Sequence, residues 1–214
     1  MSKPKSCIVY IVRHGETEWN IKRLLQGHSD SPLTKLGKQQ AKELRKKLQN
    51  INFDAVFSSD APRAQRTAQI IMLERKLAIV TTELLREKNY GEHEGKSIEI
   101  YHQELKKHLE EYENLSDAQK WTYKFPSIET DEEAVGRIIT YIREISVAYS
   151  GQTVLLVSHG TVMRLLLIHL GFATYKQLAR TPISITNGSF IKLSCDGIEF
   201  KILETSGINK TSDS

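Results

Sequence analysis

Two stretches of this chain are apolar on both faces of an extended backbone, and each runs into a histidine followed by a glycine. Ser6 to Arg13 reads Ser-Cys-Ile-Val-Tyr-Ile-Val-Arg and leads into His14-Gly15, while Thr153 to Val157 reads Thr-Val-Leu-Leu-Val and leads into Ser158-His159-Gly160. A strand with no polar face has no side to turn to water, so it belongs in the middle of a sheet covered by helices. Sheets of that kind bind ligands beyond the carboxyl ends of their strands. Both histidines stand there.

The rest of the pattern supplies the covering layers. Thr34 is placed as an N-cap, with Ala41, Leu44 and Leu48 following at helical spacing. Phe53 to Phe57 reads as a second short buried strand, closed by Ser58-Ser59-Asp60. Pro62 then opens a helix that buries Ala64, Ala68 and Ile71. Ile79 to Thr81 reads as a third strand. Thr130 and Glu133 form a capping box for a helix through Val135, Ile138, Ile142 and Ile145. After Ser158-His159-Gly160 a last helix runs to Leu170 and is stopped by Gly171. Ser189 to Ser194 and Ile198 to Leu203 read as a final pair of strands around a two-residue Asp196-Gly197 turn, and the polar tail from Ser206 is expected to be loose.

This alternation predicts an α/β fold: a three-layer sandwich, a mostly parallel central sheet with helices on both faces. The 214 residues fit a single domain, 1–214, carrying a small helical cap or lid insertion at about 97–128. Ser97 to Phe125 is polar, helical in pattern and poor in large apolar residues, which suits a cap rather than core.

Composition narrows the partners. Apolar residues make up 39% and charged residues 26%, and the formal net charge of +4 is dispersed. That argues against a nucleic-acid partner, which calls for a concentrated basic face. The lysine-rich run from Lys35 to Lys47 is interrupted by Glu43 and carries the Leu44/Leu48 stripe, so it reads as a solvated helix. No stretch approaches the ~20 apolar residues of a membrane span, and Met1 to Ser6 lacks the apolar run of a signal peptide. The expectation is a cytoplasmic protein with no membrane partner, in which Cys7 and Cys195 are buried free thiols. Nothing in the pattern specifies an oligomeric state.

The chemistry concentrates at the first strand end. A lone strand-end histidine is ordinarily a satisfied polar residue. Around His14, however, Arg13 adds a planar, permanently charged fork suited to phosphate oxygens, and Gly15 opens room for backbone amides to approach an anion. The loop that follows holds the Thr17 hydroxyl and the Asn20 amide. Arg63 opens a helix whose N-terminus is itself suited to anions; Arg66, one turn on, reads as a surface residue. His28, His93, His102, His108 and His169 fit no metal-ligand spacing, there is no HExxH or cysteine pair, and so neither a metal nor another cofactor is expected.

The string from Arg13 to Asn20 resembles the signature of the histidine phosphatase superfamily, in its phosphoglycerate-mutase-like branch. The similarity continues through Gln26-Gly27, Leu33 to Ala41, Ser58 to Ala68, Glu87 to Gly95 (with Tyr90) and Val157 to Gly160, in the family's order. The resemblance implies that His14 is the nucleophile that becomes phosphohistidine. It also implies that Arg13, Arg63 and His159 surround the transferring phosphoryl group and that Glu87 is the general acid/base. Such a nucleophile must be a neutral ring, which neighbouring cations favour. Thr17, Asn20, Gln26, Gly27, Tyr90, Lys96 and Gly160 are candidate phosphate- or substrate-binding residues.

Water and a second substrate hydroxyl are alternative acceptors for the phosphoryl group. The family's sugar-acid mutases hold the substrate carboxylate with a paired arginine in the insertion, whereas Gly95 to Gly136 contains none here. Lys96 offers one ammonium in its place. The expectation is therefore a phosphatase acting on a small phosphorylated metabolite. A mutase-type isomerase is the alternative, and an inactive phospho-ligand-binding module is a second. A further departure from many phosphatase members is Ile128-Glu129-Thr130, where they carry Gly-Glu-Ser.

Overall fold

The computed structural model describes residues 5–178 and 184–211. Among them, one six-stranded sheet forms the middle layer: β1 (Cys7–Arg13), β2 (Ala55–Ser59), β3 (Ile79–Thr82), β4 (Thr153–Ser158), β5 (Ile185–Cys195) and β6 (Phe200–Ile208). Their order across the sheet is β3-β2-β4-β1-β5-β6. The first four in that order run parallel, and β5 and β6 add an antiparallel edge. The sheet is thus mixed, mostly parallel, as expected of buried strands joined by helical crossovers.

The period of two along β1 divides the molecule into its layers. Tyr10 and Val12 point into one apolar cluster with Leu155 and Val157 of β4, covered by α2 (Lys35–Lys47) and α3 (Pro62–Ile71) through Leu44, Ala64, Ala68 and Ile71. Val9 and Ile11 point the other way, with Val154 and Leu156, onto α7 (Asp131–Ala148) and α8 (Gly160–His169). The predicted caps are in place. Thr34 accepts from Gly37 N at 2.9 Å, and Thr130 and Glu133 exchange both bonds of a capping box at the start of α7. Cys7 and Cys195 are buried free thiols at register-paired positions of β1 and β5. Burial, then the neighbouring Cys195, pushes the Cys7 thiol up to about 11.

Three expectations change at the C-terminal edge. β5 and β6 are longer than predicted, and four residues join them, with Asp196 Oδ1 accepting from Ile198 N at 3.0 Å and Glu199 N at 2.8 Å. Ser206 to Ile208 lie inside β6 rather than in a loose tail. Beyond them Asn209 N donates to Ser184 O and Thr211 N to Gln177 O.

The insertion folds as α4 (Ile98–Glu104), α5 (Lys106–Glu113) and α6 (Asp117–Thr122). It contributes to the core as well as covering it: Tyr101, Leu105, Tyr112, Phe125 and Ile128 are buried in the same cluster as α7 and α8. At its base Lys88 and Asp131 form a buried ion pair, and the Tyr112 and Tyr175 hydroxyls donate to the other oxygen of Asp131 at 3.0 Å each. No helix among the described residues is long and apolar enough to cross a membrane.

Candidate active site

Because β1 and β4 are parallel neighbours with Arg13 opposite Ser158, the chain leaves the sheet at adjacent points in the two His-Gly turns. The His14 and His159 rings meet edge to face, centroids 5.1 Å apart, and His14 N donates to Ser158 O at 3.1 Å. Both side chains are buried. His14 Nδ1 lies 2.7 Å from Gly15 O. A carbonyl only accepts, so Nδ1 carries the proton and Nε2 keeps its lone pair. Burial, followed by the charges of Arg63 and Arg13, holds the His14 ring well below the ordinary histidine pKa. Burial and Arg63 do the same for His159.

Both guanidinium groups are anchored to the protein, Arg63 by three hydrogen bonds and Arg13 by one. Arg63 gives Nη1 to Ser29 O at 2.6 Å and Asp30 Oδ1 at 3.1 Å, and Nη2 to Gly27 O at 2.7 Å. Arg13 gives Nη1 to Ile185 O. In each case the buried Nε–H has no partner among the described residues, and neither do the ring nitrogens of His159 or Oε1 of Gln26. Burial lowers the Arg13 pKa to about 10, which still leaves it charged at neutral pH. Unpaired buried donors on charged groups are expensive unless an anion arrives.

A cavity of about 260 Å³ is lined by Arg13, His14, Asn20, Gln26, Arg63, Glu87, Tyr90 and Gly160, among others. Its outer wall is largely apolar, with Trp19, Leu24, Leu25, Ile98 and Tyr101. Glu87 reaches it from the loop after β3. Its Oε1 accepts from Lys88 N at 2.9 Å and Val162 N at 3.1 Å, and its Oε2 accepts from Thr161 N at 3.0 Å. Gly160 is the residue that lets Arg13 pass, since a Cβ there would stand 2.9 Å from Arg13 Nε. Among the described residues no three His, Cys, Asp or Glu side chains group as ligands for a metal ion.

Several expected binding residues have other work. Thr17 is buried, its hydroxyl capping the short α1 (Glu18–Ile21), and it does not line the cavity. The Gly27 carbonyl is an acceptor for Arg63, and its φ of +52° with Glu94 Oε1 close by explains the missing side chain. Lys96 pairs with Glu104 at 2.8 Å, away from the cavity. Gly15 packs on the carbonyl of Gly37, and its amide is engaged by Thr67 Oγ1 at 3.2 Å rather than offered to an anion. The N-terminus of α3 is likewise taken, Arg63 N donating to Asp30 Oδ1 at 3.2 Å. His159 touches the His14 ring without lining the cavity. Asn20 does line it; its Oδ1 accepts from Thr17 N and Asn187 Nδ2, which fixes the amide orientation and leaves Nδ2 as the donor.

Sequence reasoning missed Asn187. It lines the cavity and ties the His14 loop to β5, donating to His14 O at 3.1 Å. Its only signal was an Asn-Gly pair at the start of an apolar run.

Comparison with known proteins gives the chain's relatives. PhoE of Bacillus subtilis (strain 168), an uncharacterised phosphatase, is 33% identical over 162 residues, 76% of each chain. GpmB of Escherichia coli O1:K1 / APEC, a probable phosphoglycerate mutase, is 35% identical over 156 residues, 72% of this chain and 70% of its own. The solved structure of YhfR from Bacillus stearothermophilus superposes with a TM-score of 0.82 at 30% identity, covering 94% of this chain and 97% of that one. Residues 9–206, from the first strand to the last, match the histidine phosphatase superfamily (branch 1), and this chain is a member of that family.

Proposed function

We propose that this protein is a phosphatase that hydrolyses small phosphate monoesters through a phosphohistidine on His14, without a metal or other cofactor. The observation that carries this reading is a buried ring, held neutral by burial and the nearby Arg63 and Arg13 charges, on a cavity lined by both arginines, whose Nε–H groups lack a partner among the described residues. An incoming phosphate dianion supplies the missing acceptors. The Arg13 and Arg63 Nε–H groups and the Asn20 amide would meet charge spread over the three equatorial oxygens.

The transfer then proceeds in two halves. The Nε2 lone pair forms the N–P bond as the P–O bond to the alcohol breaks, and Gly15 O stabilises the positive charge that appears on the ring through Nδ1–H. Protonated Glu87 gives its proton to the departing oxygen, so the alcohol leaves neutral. Oε2, which accepts a single backbone bond, is the oxygen with room for that proton. In the second half water attacks phosphorus, Glu87 takes its proton, the N–P bond breaks and the electron pair returns to Nε2. Ester and water go in; alcohol and phosphate come out.

The likeness to a probable phosphoglycerate mutase keeps transfer to a second hydroxyl as the other reading. The outer wall supports hydrolysis instead. Arg23 at the rim pairs with Glu99 at 3.1 Å, and Arg164 donates Nε to Leu178 O and stacks on Tyr175. The insertion from Gly95 to Gly136 holds no arginine, so it supplies no paired guanidinium grip for a substrate carboxylate. Incubation with p-nitrophenyl phosphate in EDTA, and separately with 2- and 3-phosphoglycerate, tests the proposal. Phosphate release from p-nitrophenyl phosphate is expected. Interconversion of the phosphoglycerates without phosphate release would establish the mutase, and phosphate binding with no turnover would establish an inactive module.

A further inference from the structure

The segment 84–87 belongs to no strand and no α-helix, yet each of its four carbonyls is held by a side chain. Leu85 O accepts from Ser158 Oγ at 2.9 Å. The other three belong to one residue, Arg137 on α7. Its Nη1 donates to Leu84 O at 3.2 Å and Arg86 O at 2.7 Å, and its Nη2 donates to Glu87 O at 2.8 Å. Its remaining N–H groups go to Glu129, Nε at 2.8 Å and Nη2 at 3.0 Å. All five guanidinium donors are thereby used. Glu129 completes the arrangement by accepting from Asn89 N at 2.9 Å, two residues beyond Glu87. His28 Nε2, 3.0 Å from Glu87 O, makes a second contact to the same carbonyl.

A single 3-10 turn over Glu83–Leu85 is all the regular structure here, so no ladder fixes the backbone at Glu87, and a carboxyl group that must meet a leaving oxygen tolerates little misplacement. α7 is eighteen residues long and buried along the sheet. It is a rigid mount. We propose that Arg137 is a positioning residue for proton donation. By clamping the main chain of Glu87 to α7 it sets how efficiently esters with poor leaving groups are cleaved. The proposal rests on Glu87 being the acid, as read above.

A lysine has three donors on a single point and cannot span three carbonyls and a carboxylate, so the clamp requires the guanidinium and not its charge alone. The test compares kcat/KM for p-nitrophenyl phosphate, whose leaving group needs little protonation, with that for benzyl phosphate. It is run on wild type, Glu87→Gln, Arg137→Lys and Arg137→Gln. Both Arg137 variants are expected to lose about 10- to 100-fold on benzyl phosphate and less than about 3-fold on p-nitrophenyl phosphate, in the same direction as Glu87→Gln. If Arg137→Gln does not fold, Glu129→Gln, which loosens the same guanidinium, carries the comparison. Parallel losses on both substrates, no loss, or full recovery in Arg137→Lys overturns the proposal while Glu87→Gln remains selective. A Glu87→Gln variant with equal losses on both substrates overturns the acid assignment itself, and the positioning role with it.

Discussion

In the proposed mechanism Arg13 and Arg63 are each both structural and reserved for a ligand. Each anchors its guanidinium to the main chain and keeps a buried Nε–H with no partner among the described residues. Arg13→Lys retains the charge and loses the Nε donor. It is expected to lower kcat on p-nitrophenyl phosphate by about 10²–10³-fold, as loss of one preorganised transition-state donor does elsewhere. Wild-type kcat in that variant would remove Arg13 from the phosphoryl site. The motif residues were legible because their chemistry is local: Arg13, His14 and Gly15 are consecutive, and so are Ser158, His159 and Gly160. Asn187 and Arg137 were not, because each works on a partner 50 or more residues away through a main-chain carbonyl that has no sequence signature. Thr17, Gly27 and Lys96 are the reverse case, expected at the site but absent from the cavity lining. They sit within or beside motif blocks, but their side chains or backbone conformation serve the loops that carry the site.

Among the elements, β1 and β4 were the clearest, since burial on both faces leaves an unbroken apolar run. β6 was under-read because it is an edge strand with much of its length exposed, so Ser206 and Gly207 look like tail. The insertion was misjudged because its buried aromatics, Tyr101, Tyr112 and Phe125, are spread over separate short segments and show no period within any one of them. The start of α8 yields a prediction that separates activity from stability. Gly160→Ala adds a better helix former, worth up to about 1 kcal/mol in a helix interior, but places its Cβ 2.9 Å from Arg13 Nε. The thermal midpoint is expected to stay the same or rise while kcat/KM falls by about tenfold or more. A variant with unchanged activity would show that Arg13 is not held by this contact.

For the molecule as a whole, the site has a consequence for stability. His14 and His159 resist protonation in the fold, whereas in the unfolded chain each takes a proton near the ordinary value of 6.5. Their folded values are lowered, so the unfolded state binds more protons below that pH. Stability is complete above it and declines as the pH falls through and beneath it. Each histidine contributes a slope of up to about 1.4 kcal/mol per pH unit in that window. Urea unfolding at about pH 7.5 and about pH 5.5 should show the loss, reduced in His159→Gln. Equal pH dependence in the variant would mean that His159 is not a buried neutral ring.

Every part of this account converges on a covalent bond between phosphorus and His14 Nε2. Rapid quenching of the enzyme during turnover of a ³²P-labelled phosphate monoester, followed by peptide mapping, tests that bond directly. The account predicts label that is stable in base and labile in acid, on the peptide containing His14, and absent from His14→Ala together with turnover. Hydrolysis that continues in His14→Ala, or label that maps to a different residue, would contradict it.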